Sequence, residues 1–182
     1  MHDFKEEYYK VFEMFDKQWA LVTAGTNENF NSCTISWGSL GNMWGNGTNS
    51  YPTCTIYIHP TRYTSEFLLA YDTFTVSFFS TNYHKALAYL GSCSGRDIDK
   101  INKSGLTPIK MGDSITFKEA KITFLCHKLY QHQFAKNDLD DKIKQYYASK
   151  PSIFSDFNGG WQPHIIFIGE IIAVDRRDGD IQ

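Results

Sequence analysis

The chain has 182 residues, which suits one domain over 1–182 and is long enough to bury a full hydrophobic core. Eighteen basic residues balance twenty acidic ones without a basic cluster, which argues against a nucleic-acid partner. The chain shows no signal peptide and no apolar stretch long enough for a membrane span, so we expect a cytoplasmic protein. Aromatic residues reach 16%, which favours an aromatic-lined pocket, a large interface or an aromatic β core.

The N-terminal third is predicted to contain a helix and a β-hairpin. Apolar residues at helical spacing predict a helix over 3–14, and β-formers predict strands over 18–25 and 32–37, joined by a polar turn at 26–31. The second strand ends at Trp37 and is followed by four glycines within ten residues: Gly38, Gly41, Gly45 and Gly47. Their density predicts a loop.

The remainder alternates short strands with short helices. Strands are predicted over 51–58, 73–80, one or two within 113–134, and 163–175. Helices are predicted over 65–71 with Thr64 as cap, 82–91, 97–103 with Asp97 as cap, and 138–148. Six or seven strands, mostly joined by hairpins, argue against a doubly wound parallel sheet. They predict a closed or partly closed antiparallel barrel.

Several common site motifs are missing from the sequence. It has no dinucleotide-binding G-x-G-x-x-G, no phosphate loop, no H-E-x-x-H and no G-x-S-x-G. His127 and His132 are five residues apart, so on a regular strand they face opposite ways. The cysteines lack C-x-x-C spacing, and buried thiols are the expected state. We therefore expect no metal site.

Three stretches have the chemistry of a binding site, although each also has an ordinary structural explanation. The first, 32-SCTISWGSLGNMWG-45, ends a strand in a tryptophan followed by glycine, which offers bare backbone and an indole to a flat ring. The second, 59-HPTRYTSE-66, places an arginine and hydroxyls at a helix start, as phosphate sites do. The third, 94-SGRDIDK-100, adds two cations at a turn.

Together the stretches supply a platform for a flat ring, a phosphate clamp and a nearby cation. This combination fits a mononucleotide cofactor, and a flavin best, because a cation near the ring would stabilise the negative charge that reduction creates. The structural alternatives are a tight turn with a core tryptophan and two capped helices with surface charges.

The order of the motifs resembles the flavin reductase-like family, and within it the flavoredoxin branch. The motifs are N-S-C-T-I-S-W-G, H-P-T-R-Y-T, F-T-V-S-F-F, G-S-C-S-G-R-D-I-D-K, G-L-T and H-I-I-F-I-G-E-I. The resemblance extends from about residue 18 to 174. It implies an FMN-binding split β-barrel with Greek-key strands, and a homodimer with FMN near the subunit interface.

The resemblance also implies a set of FMN-binding residues. Those implied at the isoalloxazine ring are Asn31, Ser32, Cys33, Thr34, Ser36 and Trp37. Those implied at the phosphate are Arg62, Tyr63 and Thr64, with Ser94, Gly95, Arg96 and Lys100 as donors to the phosphate or ring edge. Looser matches from the later strands are His132, His164 and Phe167. Two departures are Cys33 and the run Ile58-His59-Pro60, where many relatives have arginine before the proline.

Three functions remain open from the sequence. The first is an oxidoreductase in which FMN takes a hydride from NADH or NADPH and passes electrons to free flavin, a metal complex or a partner protein, with Lys100, Arg96 and Trp37 tuning the ring. The second is an FMN electron carrier that exchanges electrons with a protein and has no nicotinamide reaction of its own. The third is a non-catalytic binding or sensing barrel.

Overall fold

The structure, a computed structural model, describes residues 3–150 and 160–177, and this part of the chain contains nine strands and four α-helices. The strands are β1 Ala20–Gly25, β2 Phe30–Ile35, β3 Gly38–Gly45, β4 Ser50–Ile58, β5 Thr73–Phe78, β6 Pro108–Met111, β7 Ser114–Phe117, β8 Ile122–Gln133 and β9 Ile165–Arg176. The α-helices are α1 Tyr63–Ala70, α2 His84–Ser92, α3 Lys100–Ser104 and α4 Asp141–Ala148. Single 3₁₀ turns occupy Phe4–Glu6, Thr81–Tyr83 and Lys136–Asp138, and a π-helix covers Glu13–Gln18.

Seven strands form one antiparallel sheet in the order β2-β1-β5-β8-β9-β4-β3, and β6 and β7 form a separate hairpin. The strands at the two edges, β2 and β3, are consecutive in the chain and are joined by Ser36 and Trp37. They meet at this connection without pairing along their length, so the barrel is split there. The prediction of a mainly β split barrel with short helices is confirmed.

A single apolar core lies inside the curved sheet. Its cluster of buried residues takes members from β1, β2, β4, β5, β8 and β9, and Leu40 of β3 packs against it. Aromatic rings meet edge to face through this core, since Phe78 contacts both Phe15 at 5.1 Å and Phe124 at 6.2 Å between ring centroids. Core side chains from nearly all strands of one sheet require the sheet to wrap around them.

The hairpin of β6 and β7 is fixed to the barrel by buried hydroxyl groups. The hydroxyls of Ser77 on β5, Thr116 on β7 and Thr123 on β8 lie 2.7–3.1 Å from one another. A second apolar cluster, which includes Leu21, Leu87 and Phe117, packs helix α2 and the hairpin against the outside of β1. The predicted region 113–134 thus holds the expected strands, while β6 is an additional strand that the sequence analysis missed.

The predicted helix over 3–14 is wrong. The segment has a 3₁₀ turn at Phe4–Glu6, and helical structure begins only shortly before the π-helix. Tyr8 is 86% exposed and Phe12 is 92% exposed, so the apolar residues at helical spacing do not bury a common face. Side-chain contacts fix this segment instead, including an ion pair between Glu7 and Arg176.

The predicted glycine loop after Trp37 is also wrong, because Gly38–Gly45 is strand β3, paired with β4 from Gly38↔Ile56 onward. Backbone hydrogen bonds to β4 stabilise this strand although its glycines have a weak intrinsic preference for strands. At Gly38 the chain passes directly over Phe15, since a Cβ there would lie 2.2 Å from that ring. The turn comes later, where Asn46 accepts bonds from the amides of Thr48 and Asn49.

Neither predicted helix cap has that role. Thr64 lies inside α1, whose N-cap position is Arg62, and its hydroxyl accepts a bond from Asn31. Helix α3 is capped by Asp99, which accepts from the amide of Asn102, rather than by Asp97. Both predicted caps lie two residues from the observed cap position, which is the usual uncertainty of element boundaries. None of the described helices is long and apolar enough to cross a membrane.

Gly169 of β9 is the position where we expect the barrel to tolerate least change. A Cβ there would lie 2.7 Å from both Cys126 Cβ and Phe74 Cζ. Gly169→Ala should therefore lower the free energy of unfolding by about 1–3 kcal/mol through overpacking. Gly41→Ala is the matched control, because no atom lies within 4 Å of its added Cβ, and it should change stability by less than about 0.5 kcal/mol. Urea denaturation measures both, and equal effects would contradict the overpacking at Gly169.

Candidate functional site

A cavity of about 430 Å³ opens at the split of the barrel. Its walls come from the end of β2 with Ser36 and Trp37, from the end of β4, from the start of α1, and from the segment after α2. Lys100 and His164 complete it from elements distant in sequence. Ser36 and Trp37, which connect the two edge strands, thus border the cavity.

Ten of the residues predicted from sequence meet at this cavity. They are Cys33, Thr34, Ser36, Trp37, Arg62, Tyr63, Thr64, Ser94, Lys100 and His164. The sequence places them in separate stretches, and the fold brings those stretches to one end of the barrel. Their assignment to a cofactor remains a prediction.

The other six predicted residues do not line the cavity. Ser32 is buried within the sheet against the Thr23 hydroxyl at 2.8 Å, and Phe167 is fully buried in the core. His132 is exposed on β8, with its ring 6.3 Å from that of Tyr130. The remaining three line a neighbouring groove instead: Asn31, Gly95 and Arg96.

Asn31 has a supporting position beside the cavity. Its amide nitrogen donates to the Thr64 hydroxyl at 2.7 Å, which ties β2 to the first turn of α1. On the other side, a Cβ at Gly95 would lie 2.2 Å from Asn31 Oδ1, so the loop after α2 is pressed against the same amide. One buried side chain thus sets the relative positions of three segments that carry cavity residues.

The sequence analysis missed several cavity residues. They are Ile35, Tyr57, Ile58, His59, Thr61, Ser92 and Cys93. Tyr57 lies on β4 between Ile56 and Ile58, which belong to the core, so its side chain leaves the barrel interior, and His59 directly follows the strand. The alternation of apolar core residues along this strand could have identified Tyr57 as a cavity residue from the sequence. His59 was noted only as a departure, and in the structure its Nδ1 lies 2.7 Å from the Thr61 hydroxyl.

Two cations and no carboxylates characterise the described lining of the cavity. Arg62 is exposed, and its guanidinium donates to the carbonyl of Gly91 at 2.6 Å. Lys100 is only 3% exposed, and its ammonium donates to the carbonyls of Leu90 and Cys93, both at 3.1 Å. Burial lowers the pKa of Lys100, yet the two carbonyls favour the charged form. An anion entering the cavity meets no opposing negative side chain there.

Aromatic side chains also line the cavity. The ring of His164 lies 4.5 Å from that of Trp37 and 5.2 Å from that of His59, measured between centroids. Behind it, the Tyr147 hydroxyl lies 3.5 Å from His164 Nδ1. Burial, followed by the charges of His59 and Arg62, lowers the pKa of His164 to about 4. His164 is therefore a neutral imidazole at neutral pH.

The thiol of Cys33 lies on the floor of the cavity and is protonated. Burial raises its pKa, and the nearby Thr64, Lys100 and Arg62 offset this only in part. A thiol with a raised pKa is a poor nucleophile. Cys33 thus contributes packing rather than reactivity. No group of three or more potential ligands within residues 3–150 and 160–177 is placed to hold a metal ion.

The residues present fit a flavin mononucleotide. The cavity combines a cationic, hydroxyl-bearing side formed by Arg62, Thr64 and Ser94 with an aromatic side formed by Trp37 and His164. The first set suits a phosphate at the start of a helix, and the second suits a flat ring system. The volume falls within the range of small-molecule and cofactor pockets.

Comparison with known proteins agrees with this chemistry. The family model described as a flavin reductase like domain matches residues 12–182. The chain belongs to the flavin reductase-like family. None of the curated protein sequences matches it.

Solved structures with the same fold include flavoproteins of different kinds. An FMN-binding protein from Thermus thermophilus is 20% identical, with 97% of this chain and 75% of that chain covered and a TM-score of 0.61. The flavoredoxin of Methanosarcina acetivorans is 19% identical, with 97% of this chain and 77% of that chain covered and a TM-score of 0.64. An NADH:FAD oxidoreductase from Streptomyces globisporus is 15% identical, with 91% of this chain and 79% of that chain covered and a TM-score of 0.62. At these identities the similarity shows the fold.

The low pKa of His164 predicts a specific pH dependence for this flavin reductase-like protein. In the unfolded chain the imidazole binds a proton near pH 6.5, whereas in the folded chain it does so only near pH 4. The full contribution to stability is therefore present above pH 6.5 and is lost as the pH falls from 6.5 to 4. The loss should be about 2–3 kcal/mol.

Denaturation at several pH values would test this prediction. His164→Asn should reduce the loss of stability between pH 6.5 and 4 by most of that amount. His132→Asn makes the same change at an exposed position and is the matched control. Parallel curves for the wild type and His164→Asn would contradict a buried neutral His164.

Proposed function

We propose that this protein is an FMN-dependent oxidoreductase that accepts electrons from NADH or NADPH and passes them to free flavin, a metal complex or a partner protein. The observation that supports it most is the cavity at the split, whose described lining combines cations and aromatic rings without a carboxylate. When bound, FMN would supply the hydride and electron chemistry, because reactions of this type belong to the cofactor.

The cationic side would bind the phosphate. Arg62 offers a charge-assisted bond, and Thr64 and Ser94 line the same cavity. Backbone amides at the start of α1 add donors and the positive end of a helix dipole. Many relatives have an arginine where this chain has His59. The phosphate side would therefore have one cation fewer, and Arg62 should contribute more of the phosphate binding.

The aromatic side would orient the ring. Trp37 is 48% exposed and packs against His164. The pair would give the flavin ring a surface to stack on without enclosing it. The neutral imidazole of His164 can donate a hydrogen bond without adding charge, and Lys100 supplies positive charge from below the surface. A nicotinamide could stack directly on an exposed flavin face, which would require no separate dinucleotide fold.

The alternative is an electron carrier that is reduced by a donor protein. It has some support in apolar side chains that lie exposed on β3 and β8, namely Met43, Trp44 and Tyr130, because such surfaces serve protein association.

We also propose that the protein is a homodimer that uses this surface. Strand β3 is an edge of the sheet, carries no charged residue, and is mostly exposed from Gly41 to Gly45. Unprotected edges of this kind are usually covered in soluble proteins. Light scattering should give twice the mass of one chain, and the mass of a single chain would refute the dimer.

Absorption spectra taken without oxygen would test the proposed function. The purified protein, soaked with FMN and freed of excess, should show flavin bands that bleach rapidly with NADH or NADPH. Bands that persist with both nucleotides would favour the electron carrier. A protein that binds no FMN would refute the cofactor assignment and leave a binding or sensing barrel.

Arg62→Ala tests the phosphate side. Loss of a charge-assisted bond should weaken FMN binding by about 1.5–3 kcal/mol, measured by quenching of flavin fluorescence. Arg62→Lys keeps the charge but loses the planar guanidinium, so an intermediate affinity is expected. Because Arg62 also donates to Gly91, melting curves should accompany both titrations. Unchanged affinity in Arg62→Ala would exclude it from the phosphate site.

A further inference from the structure

A pocket beside the N-terminal segment shares no described lining residue with the cavity, and the proposed function does not use it. This N-terminal pocket has a volume of about 250 Å³ and is formed by residues 8–10, the π-helix, and adjoining ends of β5, β8 and β9. Drug-sized ligands occupy pockets of about 300–1,000 Å³, so this one suits a molecule with a single ring.

Four basic side chains line the N-terminal pocket, and its described lining has no acidic residue. They are Lys10, Lys121, Arg176 and Arg177. Lys10 pairs only loosely with Glu13, at 3.7 Å, and that carboxylate lies outside the lining. An anion that enters therefore meets positive side chains along the wall, which is the setting that ligand carboxylates prefer.

The remaining three cations differ in how far the protein already neutralises them. Arg176 and Arg177 form ion pairs with Glu7 and Asp175, neither of which lines the pocket. Lys121 is exposed, and its ammonium makes no hydrogen bond or ion pair within the described residues. Lys121 is thus the cation most available to a ligand, and the two arginines add a positive background.

The apolar part of the lining is mainly aromatic. Phe78 and Phe79 are buried and supply fixed ring surface, while Tyr8 is 86% exposed and leaves most of its ring accessible. Met14 of the π-helix adds a thioether, which packs well against aromatic rings. Aromatic partners of this kind favour a flat ring, because ring pairs gain more than their buried area alone provides.

The pocket also includes a hydrogen-bond donor without an acceptor. Tyr9 lines it, and the Tyr9 hydroxyl is buried with no partner within the described residues. Burial raises the pKa of this phenol, so it stays protonated and can donate. The guanidinium of Arg176 lies 6.0 Å from the centroid of the same ring. A carboxylate bound beside Arg176 would supply the acceptor that the hydroxyl lacks.

Two irregular backbone features border the pocket. Met14 and Gln18 belong to the π-helix Glu13–Gln18, and the next residue, Trp19, has a positive φ of 63°. π-Helical turns are rare and often occur at functional sites, and a tryptophan with this φ carries backbone strain. Costly conformations of this kind cluster where proteins bind ligands, which agrees with the chemistry of the lining.

We propose that the N-terminal pocket binds a small aromatic carboxylate. Its ring lies against Tyr8 and the two buried phenylalanines, and Lys121 and Arg176 hold its carboxylate. The assignment does not depend on the proposed flavin site, since the described linings have no residue in common.

Calorimetric titration of the full chain with benzoate tests the proposal, before and after addition of FMN. Benzamide keeps the ring and removes the charge, whereas cyclohexanecarboxylate keeps the charge and removes the aromatic ring. Each should bind at least about fivefold more weakly than benzoate, because each lacks one of the two features that the lining recognises.

Two pairs of variants locate the binding. Lys121→Gln should weaken benzoate binding about five- to tenfold, and its matched control is Lys85→Gln, an exposed lysine outside the lining. Tyr8→Ala should weaken it about threefold, and its control is Phe12→Ala, an aromatic residue that is 92% exposed and also outside the lining. All four positions are exposed, and melting curves check that the variants fold.

Selective loss of benzoate affinity in Lys121→Gln and Tyr8→Ala, relative to their controls, would establish the site. Benzoate binding that FMN abolishes would place the ligand in the cavity and overturn the proposal. The absence of binding at millimolar benzoate, equal effects of the variants and their controls, or benzamide binding as tight as that of benzoate would overturn it as well. A protein that binds no FMN would refute the proposed function and leave this test intact.

Discussion

The structure depends on one constraint of chain connectivity: strands at opposite edges of the seven-stranded sheet are joined by only Ser36 and Trp37. So short a connection forces the two edges together at one point, which curls the sheet around its core. The edges then diverge, since β2 pairs with β1 and β3 pairs with β4. The same two residues that bring the sheet edges together therefore also border the opening in which the cavity lies.

Charge is distributed around that opening in a way that separates two kinds of ligand chemistry. The cavity has Arg62 and Lys100 with no acidic side chain among its described lining, while the adjoining groove adds Asp97 and Asp99. Positive charge attracts phosphate, and carboxylates prefer hydroxyl groups over a further phosphate. The cavity and the groove thus differ in the ligand groups that their charged side chains attract.

Sequence reasoning succeeded where residue type reveals chemistry and failed where position depends on packing. Trp37 and Arg62 could be predicted to share one site because stretches that are ambiguous one by one have complementary chemistry when taken together. Phe167 could not be placed, because a core phenylalanine and a cavity phenylalanine look alike without the pairing register of β9. Strand β3 was hidden because its glycines carry weak strand propensity, and only pairing with β4 overrides it.

The contact between Asn31 and Gly95 has a consequence for how this sequence can evolve. A side chain at position 95 would occupy the volume of the Asn31 amide, which also holds Thr64. Neither position is therefore free to drift independently: a larger residue at 95 becomes tolerable only after 31 has become smaller, and that step gives up the bond to α1. In evolutionary terms the pair is epistatic, and homologous sequences should show correlated changes at these two sites, which lie 64 positions apart in the chain.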